Sequence, residues 1–514
     1  MVQLDGHTLS IEEVTRVARN GEKIQLSAKA IAAVKKSHQR LITIIKQKKP
    51  VYGINTGFGI FCSKNITIEE NKELNRNLIL SHAVGVGPFL APEIVKAAML
   101  VRANTLAKGY SGVRPIVIET LIAMINQDLI PMVKSQGSLG SSGDLCMLAE
   151  MALVFSKGIT DAEEESGLAL FKGHQYSGKE AMREAGIQRV EFGPKEGLAT
   201  INGATFSAAL AALCLWEAST LCAIADTALS LSLEALLGRS EAFDERLQKV
   251  RGLSGQQEVA EHVRKLIKDS TFINSSPHIQ DAYSLRCGPQ VHGAVRDTLN
   301  FVSNIIRKEI NAATDNPLIF EKYDVLSGGN FHGEPIALFM DYLSIAISEL
   351  ASISERRIFR LLDENLNQDL PPMLVDDSQK IGLKSGLMIP HYTASSLVLE
   401  NKILASPDSI HSLPTSANQE DHNANAWTAV KHTHQIIENS FRVLAIELYT
   451  AVYAINIRLK KNADKKLGFG TQVAFDKIRS LVPYKPGDIL WEKEIELLYQ
   501  GLKQPDMILQ GLIE

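Results

Sequence analysis

Apolar positions recur with helical periodicity over residues 93–107, 202–236, 293–312, 336–360, 389–405 and 425–458. Several of these stretches exceed twenty residues, which is long for an α/β domain and natural for a helix bundle. The start differs. VQLDGHTLS alternates apolar and polar residues and carries a turn signal at Asp5-Gly6, so it predicts a small hairpin. Ser10 and Glu13 then stand at capping-box spacing and open a helix into IEEVTRVAR. The fold expected is all-α: a long-helix bundle with a small mixed N-terminal region. Its consecutive parts would be an N-terminal region 1–200, a central bundle 201–470 and a helical tail 471–514.

Between the helices lie six stretches rich in Gly and polar residues: 52–59 (YGINTGFG), 81–87 (SHAVGVG), 135–144 (SQGSLGSSGD), 282–293 (AYSLRCGPQVHG), 327–335 (SGGNFHGEP) and 412–422 (SLPTSANQEDH). Plain connectors are usually short, polar and poor in Tyr, Phe and Arg. These carry Tyr, His, Ser, Asn, Arg and Glu, which suggests the parts of one composite active site on a rigid scaffold.

Composition narrows the classes. With 45% hydrophobic and 22% charged residues and a net charge of −4, nothing favours nucleic acid or an anionic membrane as a partner. Five scattered cysteines without a CxxC pair disfavour a disulfide framework or zinc knuckle and favour a reducing compartment. The first residues lack the basic and apolar regions of a secretory signal, so a cytoplasmic location is expected. Residues 205–236 are apolar enough to suggest a membrane span, but Glu217, Asp226 and Glu234 interrupt them; a buried core helix is the better expectation. His432 and His434 are two apart on a helix and face differently, a poor basis for a zinc site.

In GSLGSSGDL the GxSxG spacing of a hydrolase elbow is missing. The other chemistry open to Ser141-Ser142-Gly143 is backbone cyclisation. The unhindered Gly143 nitrogen attacks the Ser141 carbonyl, Ser142 loses water, and a methylidene-imidazolone electrophile results without any diffusible cofactor. As bare pattern, SSG is a loop as readily as a reactive group.

The ordered set YGINTGFG, SHAVGVG, GSLGSSGDL, EGLATINGATFS, QDAYSLRCGPQVHG, NPLIF, SGGNFHGEP and LPTSANQEDH resembles the aromatic amino acid ammonia-lyases, most closely their histidine branch, over about residues 3–470. The resemblance implies a mainly helical fold, a homotetramer with active sites built from three subunits, and a cyclised tripeptide at the positive ends of helices. It further implies that Tyr52 removes the β-proton, which requires a site favouring its phenolate. Arg286 would grip the substrate carboxylate bidentately. Asn202, Gln280 and Tyr283 would line the tripeptide and substrate, and Phe331 would pack over the electrophile. His82 and Glu420 would read an imidazole ring, making a small-molecule imidazole amino acid the partner.

The pattern departs from the family in places. Ser141 stands where Ala is usual and gives only its carbonyl to the ring, so its side chain is expected to be a spectator. LCMLAEM replaces LAPLAHM, putting Met147 and Glu150 for a proline and a histidine. Lys384, in GLKSGLMIP, stands where Asn is usual. A lysine in the pocket suits extra negative charge on the substrate, and a quaternary ammonium has no lone pair with which to attack an electrophile. The leading expectation is therefore ergothionase-like: ergothioneine to thiourocanate plus trimethylamine, with Lys384 as acid or specificity residue. The alternatives are histidine ammonia-lyase using the cyclised tripeptide, and an inactive scaffold, against which the retained polar set speaks.

Overall fold

The computed structural model describes residues 1–47, 51, 53–54, 56–57, 66–67 and 70–504. Long helices dominate. Those expected from periodicity form as Pro92–Ala107, Thr205–Ala235, Gly288–Glu309, Glu334–Leu362, Met388–Leu404 and Ala426–Lys461. In the most apolar part of Thr205–Ala235, 83% of residues are buried, as a core helix requires.

The start is not a hairpin. Val2–Leu4 pairs in parallel with Ile24–Leu26, in the register Val2↔Ile24. A parallel partner needs a crossover, and the intervening helix Ile11–Asn20 supplies it. The Ser10–Glu13 capping box opens that helix, and Gly21 closes it in the left-handed region at φ 66°. Asp5 still makes the expected turn: its Oδ1 accepts the His7 and Thr8 amides at 2.7 and 2.9 Å. The 282–293 stretch is likewise helical rather than a loop, forming Tyr283–Arg286 and then the first turn of Gly288–Glu309.

The chain divides into two compact units, each gathered from three stretches. The first comprises residues 1–216, 302–341 and 407–431; the second comprises 217–301, 342–406 and 432–514. In the first unit, the helix pairs Asn71–His82 with Leu145–Phe155 and Leu145–Phe155 with Glu196–Ile201 pack together, and short strands Val86–Phe89 and Lys134–Gln136 pair antiparallel beside them. The second unit holds a buried charge cluster. The Asp226 carboxylate accepts from His292 Nδ1 at 2.7 Å, His262 Nδ1 at 3.0 Å and Arg296 at 2.6 Å.

Candidate active site

Within the first unit, the 135–144, 327–335 and 412–422 loops are tied directly to one another. The Gly333 amide donates to the Gly140 carbonyl at 2.8 Å, His332 Nε2 to the His422 carbonyl at 3.0 Å and, just past the third loop, the Asn425 amide to the Leu139 carbonyl at 2.7 Å. They border an open cavity of about 540 Å³, walled in part by Ser141, Ser142, Asn202, Phe331, His332 and Glu420.

Ser141-Ser142-Gly143 lies just ahead of the helix Leu145–Phe155 and against the start of Thr205–Ala235. Gly143 bridges in parallel to Gly203. Its φ is 81°, and a Cβ there would stand 1.9 Å from the Gly203 carbonyl carbon, so only glycine fits. The Ser142 carbonyl oxygen accepts two hydrogen bonds, from Asn202 Nδ2 and from the Gly203 amide, both at 3.1 Å. Asn202 is fixed in turn by the buried Arg102, whose guanidinium donates to the Asn202 carbonyl; burial pulls the Arg102 pKa down to about 10. Asp144 follows the tripeptide and is fully buried, accepting from the Ser207 amide at 2.8 Å, Ser207 Oγ at 2.9 Å and Ser138 Oγ at 2.7 Å. Burial pushes its carboxyl up despite these donors.

Glu420 faces the tripeptide. Ser142 Oγ donates to its Oε1 at 2.6 Å, while Ser141 Oγ and Thr415 Oγ1 both donate to its Oε2 at 3.2 Å. The expectation that the Ser141 side chain is a spectator is therefore corrected: its hydroxyl reaches the carboxylate that the sequence assigned to ring reading. His82 ends the helix Asn71–His82, with Nδ1 placed 2.8 Å from the Leu78 carbonyl. Burial lowers its pKa, opposed by that carbonyl and by the Glu420 charge, so the neutral imidazole is favoured near pH 7.

Two residues that did not stand out by sequence sit at the cavity rim. The His332 and His422 rings stack with centroids 5.9 Å apart, and His332 Nε2 donates to the His422 carbonyl at 3.0 Å. The sequence signal was available in SGGNFHGEP and NQEDH, beside Phe331 and Glu420. Glu150, noted only as a departure from pattern, accepts the Gly85 amide at 2.9 Å and the Lys134 amide at 2.7 Å.

Four further expected residues, Gln280, Tyr283, Arg286 and Lys384, lie in the second unit. Gln280 and Tyr283 are exposed, and the Arg286 guanidinium lies 4.7 Å from the centre of the Tyr283 ring. Arg286 Nε has no hydrogen-bond partner among the described residues. Lys384 Nζ is 3.6 Å from Asp376 Oδ1, and the following amides of Ser385 and Gly386 donate to Asp488 at 2.8 and 2.9 Å. Tyr52 lies outside the described residues. A group of metal-ligating type, Glu217, His434 and Glu438, also stands in the second unit, and the Lys503 ammonium donates to both of its glutamates.

A family model for aromatic amino acid lyases matches residues 9–480. A histidine ammonia-lyase from Caldanaerobacter subterraneus subsp. tengcongensis is 47% identical over 100% of this chain and 97% of its own. The crystal structure of histidine ammonia-lyase from Trypanosoma cruzi superposes with a TM-score of 0.90 at 34% identity, covering 100% of this chain and 95% of that one. Ergothionase from Treponema denticola, crystallised with desmethyl-ergothioneine sulfonic acid, gives a TM-score of 0.90 at 29% identity, covering 99% of both chains.

Proposed function

The chain belongs to the aromatic amino acid lyase family and is a carbon–nitrogen lyase, and from that membership and the geometry of its site we propose that it eliminates ammonia from histidine to give urocanate. This reverses the order of the two readings drawn from sequence. The relative at 47% identity carries the name histidine ammonia-lyase, whereas the ergothionase structure is 29% identical. Trimethylamine elimination becomes the second reading.

The observation that carries the proposal is the setting of the Ser142 carbonyl. Two N–H donors, Asn202 Nδ2 and the Gly203 amide, converge on one oxygen at the start of a long helix. That arrangement stabilises negative charge gathering on the oxygen. It fits a cyclised Ser141-Ser142-Gly143, as does a Gly143 with no room for a side chain. The group, once formed, supplies an electrophilic methylidene carbon conjugated to that carbonyl. No diffusible cofactor is invoked.

The rest follows from side chains. Neutral His82 offers a lone pair on Nε2, since Nδ1 faces the Leu78 carbonyl, and Glu420 offers a carboxylate to an imidazole N–H. Phe331 walls the cavity that holds the ring. By the family resemblance, Tyr52 takes the β-proton, Arg286 grips the carboxylate, and Gln280 and Tyr283 complete the substrate's surroundings. Lys384, held beside Asp376, is given a structural place in this reading. Self-association as a homotetramer is part of the same proposal, supported by the exposed Tyr342, Ile345, Ile389, Tyr392, Leu399 and Ile403.

Purified protein incubated separately with histidine and with ergothioneine, followed by the absorbance of urocanate and thiourocanate, decides between the readings. Urocanate from histidine is expected. Thiourocanate alone would restore the trimethylamine reading, and no product from either would leave a scaffold. Intact mass is expected to fall short of the encoded chain by two waters.

A further inference from the structure

Both oxygens of Glu420 are engaged, but unequally. Oε1 takes a single hydroxyl, that of Ser142, while Oε2 takes two, those of Ser141 and Thr415. The backbone of Glu420 is pinned as well, in a two-residue bridge to Thr415: the Thr415 amide donates to the Glu420 carbonyl at 2.8 Å, and the Glu420 amide to the Thr415 carbonyl at 3.4 Å. The three donors have different fates. Cyclisation expels two waters. The first takes the Ser141 carbonyl oxygen with the amide hydrogens of Ser142 and Gly143, as the Gly143 nitrogen bonds the Ser141 carbonyl carbon. The second takes Ser142 Oγ with its own hydrogen and the hydrogen on Ser142 Cα. Ser142 thus loses the hydroxyl that occupies Oε1, whereas the hydroxyls of Ser141 and Thr415 remain.

We propose that Ser141 is a positioning residue: with Thr415 it holds Glu420 by Oε2, so that the departure of the Ser142 hydroxyl hands Oε1, already aimed at the cavity floor, to an imidazole N–H of the substrate. Ring recognition is thereby completed by the same event that makes the electrophile. The inference rests on the histidine reading above. A hydroxyl bonded to a charged carboxylate is of the strength that shifts an affinity about tenfold when it is removed.

The test separates positioning from catalysis by using a chain that cannot cyclise. Ser142→Ala has no hydroxyl to lose, leaves Oε1 free and keeps Ser141. The probe is imidazolepropionate, which carries the ring and carboxylate but no amine, and its binding is read by calorimetry. Ser142→Ala should bind the probe, and Ser141→Ala/Ser142→Ala should bind it about tenfold more weakly. Ser141→Thr/Ser142→Ala, which restores a hydroxyl, should recover the affinity. Equal affinities with and without the Ser141 hydroxyl would overturn the proposal, as would a Ser142→Ala chain that binds no probe. In the otherwise native chain, Ser141→Ala should still lose two waters while its KM for histidine rises about tenfold and kcat changes less. A full-length mass for that variant would place Ser141 in cyclisation instead and overturn the positioning role. Mass and histidine turnover of the native chain are measured first. If native protein keeps its full mass or leaves histidine untouched, the histidine reading fails on that evidence alone, before any variant is compared, and this proposal falls with it.

Discussion

Glu150 Oε1 accepts the Gly85 amide at 2.9 Å, so the helix that follows the tripeptide holds the loop that follows His82. The other oxygen takes the Lys134 amide from the strand paired with that loop. Glu150→Gln keeps one acceptor and turns an NH₂ toward the second amide. One bond is lost and the other loses its charge assistance, at a cost of about 1–2 kcal/mol. We expect KM for histidine to rise several-fold with kcat nearly unchanged. Gly85→Ala would set a Cβ 2.5 Å from Glu150 Oε1. Steady-state kinetics on both variants and their combination should show non-additive effects, since the two changes break one contact.

The His82 side chain sets a pH limb. Burial lowers its pKa, and the Leu78 carbonyl and Glu420 charge raise it in partial opposition. The neutral ring is required in the proposed reading, so kcat/KM should fall only below the ordinary histidine range of about 6.5. Removing the Glu420 charge removes an attraction that favours the cation. Glu420→Gln should therefore move the acid limb of its residual activity to lower pH, and a limb moving to higher pH would contradict the geometry.

Gly143→Ala asks for space that does not exist, with φ at 81° and the Gly203 carbonyl carbon 1.9 Å from the added atom. The Gly143–Gly203 bridge must open, at a cost of about 1–3 kcal/mol. Thermal unfolding should report that loss, and intact mass should show a chain that retains both waters.

Asp226 predicts acid lability in the second unit. Burial would raise its carboxyl, but the bonds from His262 and His292 and the Arg296 charge outweigh it and hold the group far below the usual carboxylate range. A depressed carboxyl gives stability that is present above the unfolded value near ~4 and lost as pH falls below it. Asp226→Asn leaves the Arg296 charge without its buried partner and should cost about 3–5 kcal/mol near pH 7. Denaturant unfolding should show that gap narrowing as pH drops below about 4.

Lys384→Asn checks the demotion of the lysine. Its Nζ is 3.6 Å from Asp376, which keeps the Tyr484 hydroxyl at 2.8 Å and the Lys460 ammonium at 3.7 Å when the lysine is removed, so a loss of about 1–2 kcal/mol is expected. Histidine turnover should stay within about twofold. A large loss would return the lysine to the chemistry and favour the trimethylamine substrate.

The helices were legible because each is long enough for its 3.6-residue period to repeat several times, and Ser10–Glu13 carried its own cap signal. The Val2–Leu4 strand was not, because three alternating residues do not say whether their partner is Gly-turned and adjacent or twenty residues on. The 282–293 stretch misled by composition: Gly288 and Pro289 look like loop residues yet occupy the first turn of a helix, where proline's missing N–H costs nothing. Motifs located Ser142, Asn202 and Glu420. They could not show that the Ser141 hydroxyl also reaches Glu420, or that Glu150 reaches the His82 loop, since both are contacts between distant segments that depend on side-chain direction.

The Ser142–Glu420 bond spans 278 positions, and the Asn202 amide that holds the Ser142 carbonyl lies 60 positions away. Closing such separations is slow compared with forming local helices. A nascent chain therefore lacks the Ser142–Glu420 bond until residues near 420 have been synthesised and docked, whereas the residues that hold the Ser142 carbonyl are available more than two hundred positions earlier. In a translation reaction sampled over time, the two-water mass loss proposed for this tripeptide should trail completion of the chain if cyclisation awaits the Glu420 contact, and precede it if the 202–207 segment suffices.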